Sequence, residues 1–276
     1  MALLLVAIGC AVALALTGWS GLVGTTGSRS QEPSGGDAER AAVPRASRPS
    51  FTLMQMNLCL SGLAGCYDPA VVEESVARIR EARPDAVTVN EACRVDAETI
   101  ARRTGYRLRF ARVIYAGERL PCVDPGGRGL FGDAVLTEAP IETSRSRPFE
   151  AQSGFEERRW LCVTTRLDVV ACTAHLGTRR STTGASTNDA QCAELARLLA
   201  GHAAARTVAF GGDVNRRGPC APVGVWARTD SSADQAPGLQ HVYGTGDTLR
   251  SPRAEVLPAA HSDHDVLLVR ARPQPR

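Results

Sequence analysis

Short apolar runs of strand length alternate with amphipathic stretches along most of the chain. Such runs predict β-strands, here over 51–57, 85–90, 106–114, 134–136, 160–167, 169–174, 206–210, 239–243 and 265–269. Apolar residues at every third or fourth position predict helices over 68–83, 96–103 and 188–205. A loop rich in Gly and Pro is expected over 117–129. This alternation of strands and helices predicts a single α/β domain over 51–276.

The N-terminal region differs in composition from the rest of the chain. Residues 1–24 carry no charge and are mostly apolar, which predicts a signal peptide or a membrane anchor. Residues 25–50 are rich in Gly, Ser and Pro and predict a flexible linker. We therefore expect a secreted protein, or an extracellular one anchored by an uncleaved N-terminal segment.

The chain contains nine cysteines, of which eight follow Cys10. An even number of cysteines in an exported chain predicts disulfides. No Cys-x-x-Cys pair occurs, which disfavours a cysteine metal cluster. We expect Cys59 with Cys66 across a short loop, Cys162 with Cys172 across a hairpin and, by elimination, Cys93 with Cys122 and Cys192 with Cys220.

The charge of the chain is modest. Its formal net charge is +3, which does not indicate a strongly basic nucleic-acid-binding protein. All 32 basic residues other than histidine are arginine. Arginine is therefore the only non-histidine cation that can contact a phosphate group.

Polar residues stand at the ends of several predicted strands. Carboxylates, amides and imidazoles that converge from strand ends are the groups that a divalent metal and a phosphate diester require. The residues at these positions are Asn57, Glu91, His175, Asp213, Asn215, Asp263 and His264.

The order of these residues resembles the endonuclease/exonuclease/phosphatase superfamily, which has the deoxyribonuclease I-like fold. The resemblance extends from Phe51 to Ala271. It implies an α/β four-layer sandwich of two mixed β-sheets flanked by helices. The matching motifs are Asn57, Glu91, Gly132-x-Ala134-x-Leu136 with Pro140-Ile141, Thr173-Ala174-His175-Leu176, Gly212-Asp213-Val214-Asn215 and Ser262-Asp263-His264.

The resemblance implies one or two divalent cations, Mg²⁺ or Mn²⁺. Glu91 would bind the metal, with Asn57 beside it and Asp263 as a further metal contact. Asp213 would orient or deprotonate the attacking water. Asn215 would bind a phosphate oxygen or the metal.

The resemblance also implies roles for the basic residues. His264 would transfer a proton, because imidazole titrates near neutrality. His175 would donate to the non-bridging oxygen on which charge grows in the transition state. Arg159 is expected to bind the substrate phosphate, with Arg158 as the competing choice.

Two positions depart from the family pattern. Gln240 stands where family nucleases carry an Asp that is hydrogen-bonded to the catalytic histidine, so His264 is expected to be a weaker base unless Asp230 or Asp234 substitutes. Asp133 stands where Asn is common, and a carboxylate there would hold metal or repel a polyanion.

We therefore expect an exported, metal-dependent phosphoesterase, with a nuclease favoured. The loops over 59–67 and 117–130 contain few apolar anchors, which disfavours a sphingomyelinase-like lipid phosphodiesterase. Phosphatase activity and a catalytically silent surface binding module of the same fold are further alternatives. Nucleic acid is the expected substrate. The N-terminal segment would attach the protein to a membrane if it is uncleaved. No obligate protein partner is expected. Four arginines follow two catalytic segments and would line a groove for nucleic acid: Arg179, Arg180, Arg216 and Arg217.

Overall fold

The computed structural model describes residues 50–63 and 65–275. The predicted leader, 1–24, and nearly all of the predicted linker, 25–50, lie outside the described residues. Within the described part of the chain, no helix is long and apolar enough to cross a membrane. The first strand begins at Phe51.

The domain contains fifteen strands and three helices among its described residues. The helices are α1 (Ala70–Ala82), α2 (Arg94–Thr104) and α3 (Thr182–Ala203). The strands are β1 (Phe51–Asn57), β2 (Ala86–Cys93), β3 (Arg107–Arg112), β4 (Ile114–Tyr115), β5 (Glu118–Arg119), β6 (Phe131–Thr137), β7 (Ile141–Pro148), β8 (Glu156–Glu157), β9 (Arg159–Thr165), β10 (Val169–Ala174), β11 (Thr207–Asp213), β12 (Val225–Thr229), β13 (Gln240–Thr245), β14 (Leu249–Leu257) and β15 (Val266–Pro273).

The larger strands form two mixed six-stranded sheets. The first sheet has the order β14-β15-β1-β2-β6-β3, and the second has the order β12-β13-β11-β10-β9-β7. Strands β4, β5 and β8 form a separate three-stranded sheet in the order β5-β4-β8. In each large sheet, one pair of central strands is parallel, β1 with β2 and β10 with β11.

Three apolar clusters define four layers. Helices α1 and α2 pack on the outer face of the first sheet through Ile79, Ile100 and their neighbours. Helix α3 packs on the outer face of the second sheet through Leu195 and Leu199. The third cluster lies between the sheets and includes Leu53 from the first and other residues from the second. This arrangement confirms the predicted four-layer sandwich.

Close contact between the sheets depends on a glycine in β11. A Cβ at Gly211 would lie 2.1 Å from Thr88 Oγ1 and 2.8 Å from Leu53 Cδ2, both in the first sheet. Any side chain there would force the sheets apart. Gly211 therefore allows β11 to pack closely against the middle of β1 and β2.

The structure confirms all four predicted disulfides: Cys59 with Cys66, Cys93 with Cys122, Cys162 with Cys172 and Cys192 with Cys220. Cys59 lies two residues beyond the end residue of β1, and Cys93 is the last residue of β2. Two disulfides therefore anchor the chain at the carboxyl ends of these parallel strands.

Candidate active site

The polar residues singled out in the sequence lie together at one end of the sandwich. Because β1 is parallel to β2 and β10 is parallel to β11, the carboxyl ends of these strands meet at the same end of their sheets. Asn57 ends β1, Glu91 lies two residues from the end of β2, and Asp213 ends β11. We call this the polar end of the molecule.

An amide group joins the two carboxylates. Asn57 Nδ2 donates to Glu91 Oε1 at 3.0 Å and to Asp213 Oδ2 at 3.2 Å. Asn57 Oδ1 accepts from the backbone N–H of Cys59 at 3.1 Å, and the reverse amide orientation would place N–H against N–H. Asn57, expected among the metal ligands, therefore presents a donor here and positions the two carboxylates.

Two imidazoles flank the Asp213 carboxylate. His175 Nε2 and His264 Nε2 each lie 3.6 Å from Asp213 Oδ2, and His175 Nε2 lies 3.8 Å from Glu91 Oε1. The backbone N–H of Asn215 donates to Asp213 Oδ1 at 2.9 Å. One Asp213 oxygen is thus held by the backbone, and the other faces both imidazoles.

The Asn215 side chain determines which nitrogen of His175 carries the proton. Asn215 Nδ2 donates to the backbone oxygen of Leu176 at 2.9 Å and lies 3.0 Å from His175 Nε2. Because an amide nitrogen only donates, His175 Nε2 accepts, and the neutral ring carries its proton on Nδ1. Burial, together with the charges of Arg158 and His264, lowers the pKa of His175 well below its ordinary value. The expected donation to a phosphate oxygen is therefore not available from Nε2 in this arrangement.

His264 has more freedom at its second ring nitrogen. Its Nδ1 is buried and has no hydrogen-bond partner among the described residues. Ser262 Oγ accepts from the His264 backbone N–H at 3.3 Å and donates to the Asn57 backbone oxygen at 2.7 Å, which ties this segment to β1. Buried nitrogens without partners are rare and occur at catalytic or ligand sites.

Gln240 does not orient His264 through a hydrogen bond within the described residues. Its Nε2 donates to the Asp265 backbone oxygen and lies 3.5 Å from Asp230 Oδ2. Asp230 is fully buried, and burial raises its pKa to about 6 while the charge of His264 lowers it. Asp234 is exposed. Of Asp230 and Asp234, Asp230 is therefore the one that is buried and interacts electrostatically with His264.

The positive charge near Glu91 and Asp213 is too small to offset the burial of their carboxylates. Burial raises the pKa of both Glu91 and Asp213 above ordinary values. For Glu91 the charges of Asp213 and Asp263 add to this effect, and Arg158 opposes it. Clustered oxygen donors of this kind fit a hard divalent cation. Glu91, 19% exposed at its side chain, and the exposed Asp263 would hold the cation beside Asp213.

Arg158, rather than Arg159, acts on the cluster. Arg159 is the first residue of β9, and its guanidinium pairs with Glu157 at 3.0 Å. Arg158 pairs with Glu156 at 3.1 Å, and Arg158 Nη1 and Arg159 Nε are both buried without a hydrogen-bond partner in the described structure. The charge of Arg158 shifts the pKa values of four groups at the polar end: Glu91, Asp133, His175 and Asp213. The geometry thus favours the competing choice for the phosphate contact.

A buried polar network beneath the cluster was not predicted. Asn90 Nδ2 donates to Asp133 Oδ1 at 2.9 Å, and Asn90 Oδ1 accepts from Gln55 Nε2 at 2.9 Å and from the Asp213 backbone N–H at 2.8 Å. Burial raises the pKa of Asp133 to about 7, and the side chain faces Asn90. The sequence signal that could have revealed this network is the presence of polar residues within two otherwise apolar strands, Gln55 in β1 and Thr88 and Asn90 in β2.

Solved structures similar to this chain share its fold. The catalytic domain of human nocturnin with bound sulfate anion has a TM-score of 0.64 and 16% identity, over 85% of this chain and 100% of that one. An endonuclease/exonuclease/phosphatase from Beutenbergia cavernae has a TM-score of 0.61 and 17% identity, over 82% of this chain and 72% of that one. D. rerio TDP2 complexed with single strand DNA product has a TM-score of 0.54 and 14% identity, over 82% and 100%.

The sequence comparison identifies the family. No curated protein matches this chain at a significant level. Residues 54–264, which include every residue of the polar end described above, match the profile of the Endonuclease/Exonuclease/phosphatase family. Members of this family are generally phosphoester hydrolases that use divalent metal ions. The chain belongs to the endonuclease/exonuclease/phosphatase family.

Proposed function

We propose that this chain is a divalent-metal-dependent phosphodiesterase that works in an oxidising compartment, with nucleic acid as its substrate. The observation that carries the proposal is the environment of Asp213. Its buried carboxylate faces two imidazoles at 3.6 Å and shares the Asn57 amide with Glu91. A structural carboxylate has no need of such an arrangement, whereas a group that activates water does.

The chain's own residues divide the work of phosphodiester hydrolysis. A divalent cation bound at Glu91 and Asp263 would neutralise charge on a phosphate oxygen. Asp213 Oδ2 orients the attacking water and accepts its proton. His264, with Nε2 facing Asp213, supplies a proton to the leaving oxygen. Arg158 Nη1 donates to a second phosphate oxygen, which would satisfy its missing hydrogen bond.

His175 and Asn215 act together in this proposal. The neutral imidazole accepts from Asn215 Nδ2, and this bond holds the amide beside Asp213. Asn215 has a φ of 52°, in the left-handed region that Asn tolerates better than most residues. Both N–H groups of the Asn215 amide are engaged, so the amide can donate to a phosphate oxygen only after it leaves His175. In the free protein, the role of His175 is to hold Asn215 in position until substrate binds.

Nucleic acid is favoured as substrate on two grounds. One similar structure, D. rerio TDP2, is complexed with a single strand DNA product, and arginine at the polar end suits a phosphodiester. The expected arginine groove is weaker than predicted, however. Arg179 and Arg216 both pair with Asp189, at 2.5 and 2.7 Å, so their charge is partly neutralised. Arg180 and Arg217 remain exposed.

The compartment is inferred from the disulfides. Four disulfides within one domain are typical of proteins that leave the reducing cytoplasm. Together with the apolar segment over 1–24, they support export. Whether the N-terminal segment is cleaved or anchors the protein is testable by sequencing the mature N-terminus.

A lipid phosphodiesterase is the second candidate, because two large apolar side chains near the polar end are exposed. Leu63, within the Cys59–Cys66 loop, is 61% exposed, and Phe155, three residues before Arg158, is 72% exposed. Side chains of this type insert into membrane interfaces.

The test is hydrolysis by the purified, oxidised full-length chain with Mg²⁺ or Mn²⁺ and with chelator. The substrates are plasmid DNA, single-stranded DNA, bis(4-nitrophenyl) phosphate and sphingomyelin. Glu91→Gln and His264→Ala are compared with matched controls on nearby elements. Glu98→Gln removes an exposed acid on α2, and His261→Ala removes a histidine that pairs with Asp68 at 2.8 Å.

We expect chelator-sensitive cleavage of DNA and of the small diester, lost in Glu91→Gln and His264→Ala and retained in both controls. Cleavage of sphingomyelin alone would transfer the proposal to lipid. No hydrolysis of any substrate, with intact folding, would contradict the phosphodiesterase assignment and favour a binding module.

A further inference from the structure

Two amide side chains interrupt the apolar face of helix α3. The buried positions of this face follow one another at helical spacing and include Asn188, Gln191, Cys192, Leu195 and Leu199. Asn188 and Gln191 are fully buried. Burial of an amide is unfavourable unless its donors and acceptors find partners. Packing alone would therefore favour apolar residues at both positions.

Asn188 joins two segments that carry groups of the candidate active site. Asn188 Nδ2 donates to the backbone oxygen of Gly177 at 2.7 Å and to that of Val214 at 2.9 Å. Gly177 follows His175 by two residues, and Val214 directly follows Asp213. One amide nitrogen thus connects the segment that bears His175 to the segment that bears Asp213.

The acceptor side of the same amide receives two arginines. Arg179 Nη1 and Arg216 Nη1 donate to Asn188 Oδ1 at 3.2 and 3.3 Å. The same two nitrogens also donate to Asp189 Oδ1, at 2.5 and 2.7 Å. The reverse amide orientation would place N–H groups against guanidinium N–H groups, so the orientation of Asn188 is fixed. Both its donors and its acceptor are therefore engaged.

Gln191 extends the connection to the segment of Arg158. Gln191 Oε1 accepts from the Gly177 N–H at 2.8 Å, and Gln191 Nε2 donates to the backbone oxygen of Ala151 at 2.8 Å. The next residue, Gln152, accepts from the Arg158 backbone N–H at 2.8 Å. Two amides about one helical turn apart therefore connect α3 to three segments of the polar end.

The geometry around His175 depends on how these segments are spaced. Asn215 Nδ2 lies 3.0 Å from His175 Nε2, and His175 Nε2 lies 3.6 Å from Asp213 Oδ2. Both contacts join one segment to the other, so a shift between the segments changes both distances. A displacement of about 1 Å at a reacting group can lower turnover about 100-fold. An amide that fixes the segments from α3 therefore bears on catalysis without contact to the substrate.

We propose that Asn188 is a positioning residue of the active site, which holds the His175 segment against the Asp213 segment at the spacing that the reaction requires. Gln191 has the corresponding role for the segment of Arg158. Both side chains are fully buried and act through the backbone groups that they hold. This inference rests on the proposed function, and it adds two positioning residues to that site.

The test compares variants of the oxidised full-length chain. Asn188→Asp retains the acceptor for both arginines and loses both donations to backbone oxygens, and Asn188→Leu loses all these bonds without adding charge. Gln191→Glu retains the acceptor for the Gly177 N–H and loses the bond to Ala151. Leu199→Ala opens a cavity in the apolar cluster beneath α3 and is the control for lost stability. Urea unfolding of every variant is measured alongside.

Steady-state hydrolysis of bis(4-nitrophenyl) phosphate separates positioning from stability. Both Asn188 variants should lower kcat about 10- to 100-fold and change KM less than about threefold, because groups that act in the transition state are displaced. Gln191→Glu should raise KM about 3- to 10-fold with a smaller change of kcat, because Arg158 binds the phosphate. Leu199→Ala should retain both constants at temperatures where it is folded.

Nitrogen NMR of isotope-labelled histidine gives a readout that does not depend on turnover. At neutral pH and in chelator, the parent chain should show a neutral His175 ring with its proton on Nδ1. His175→Gln assigns this signal by its absence. Asn188→Leu should lose the single tautomer, because Asn215 is no longer held against His175. Leu199→Ala should retain it.

Three results would overturn the inference. Parent-like kcat in both Asn188 variants, or equal losses in Leu199→Ala, would reduce Asn188 to a packing residue. An unchanged His175 signal in Asn188→Leu would show that the segments keep their spacing without the amide. An unchanged KM in Gln191→Glu would remove the role of Gln191. If the parent chain hydrolyses no substrate while the His175 signal still depends on Asn188, the proposed function fails and the spacing role of Asn188 stands.

Discussion

The two ends of the sandwich each place a carboxylate beside strand ends, but the surroundings of these carboxylates differ. At the end where β2 begins, Asp85 Oδ2 accepts from the Thr52 backbone N–H at 2.8 Å, and the bond joins β1 to the start of β2. At the polar end, Asp213 faces another carboxylate across one shared amide and has two imidazoles at 3.6 Å. The first carboxylate holds the backbone together, while the second is held in place by its neighbours. Such a contrast distinguishes an acid that stabilises the fold from one arranged for chemistry.

Substitution of the acid at either end should affect different properties: Asp213→Asn should lower activity, and Asp85→Ala should lower stability. The loss of activity in Asp213→Asn should be the largest of the predicted effects. Asp213→Asn should lower turnover about 10³-fold or more, because a water-activating carboxylate is lost. Its free energy of unfolding at neutral pH should change little, because relief from burying the charged form of Asp213 offsets the donor–donor contact that the new amide makes with Asn57 Nδ2 or the Asn215 N–H.

Asp85→Ala should retain activity and lower the free energy of unfolding by about 1 kcal/mol or more, because a backbone N–H loses its acceptor. Turnover and urea unfolding of both variants decide the point. If both variants lost stability and kept activity, the contrast between the ends would be wrong.

Asp133 should make the polar end sensitive to pH. Burial raises its pKa from 3.8 to about 7, so between these pH values the folded state holds a proton that the unfolded state has released. The free energy of unfolding should therefore fall as pH rises from about 4 to about 7, by at most about 1.4 kcal/mol per pH unit, and then level off.

Urea titrations of the parent chain and of Asp133→Asn at pH 5 and pH 7 measure this effect. The variant should lose part of the pH dependence, because the pKa values of Asp230, Glu91 and Asp213 are raised as well. Asp247→Asn, at an exposed position, should behave like the parent. An unchanged dependence in Asp133→Asn would show that another buried group titrates in this range.

Asp230 should have a smaller effect on catalysis than Asp213. Its carboxylate has a pKa of about 6 and interacts with His264, so it stabilises the protonated imidazole only when ionised. The parent is expected to lose activity below about pH 6, where Asp230 takes up a proton. Asp230→Asn should lower turnover about tenfold and should reduce this loss.

The control for this prediction is Asp234→Asn, since Asp234 is exposed. A pH–rate profile of Asp230→Asn that overlays the parent profile would show that His264 works without a carboxylate partner.

The sequence predicted the interior of both sheets better than their edges. Strands β7, β12 and β14 were not predicted, and all three are edge strands. In β7, six of the eight residues are exposed, so the strand contains neither an apolar run nor a regular alternation. Backbone pairing with β9 forms this strand, and such pairing leaves little trace in side-chain composition. Helix α3 begins at Thr182 rather than at residue 188, because Ser181 caps it by accepting from the Gly184 N–H at 3.0 Å.

The residue types of the candidate site were predicted, but their orientations were not. Asn57 was expected near the metal, yet only its bond to the Cys59 N–H reveals which amide atom faces the carboxylates. His175 was expected to donate, but Asn215 makes it an acceptor. Arg158 and Arg159 are neighbours in sequence, and which of them faces the candidate site depends on where β9 begins. The apolar pattern locates such a strand boundary only to within a few residues.

The disulfides at the ends of β1 and β2 couple the geometry of the polar end to the redox state of the cysteines. Cys59 supplies the N–H that fixes Asn57, and Cys93 follows Glu91 by two residues. In a thiol-rich cytosol both crosslinks would be open, and the strand ends that bear Asn57 and Glu91 would lack their covalent support. On the proposed function, the reduced chain would then be a poorer enzyme than the oxidised one.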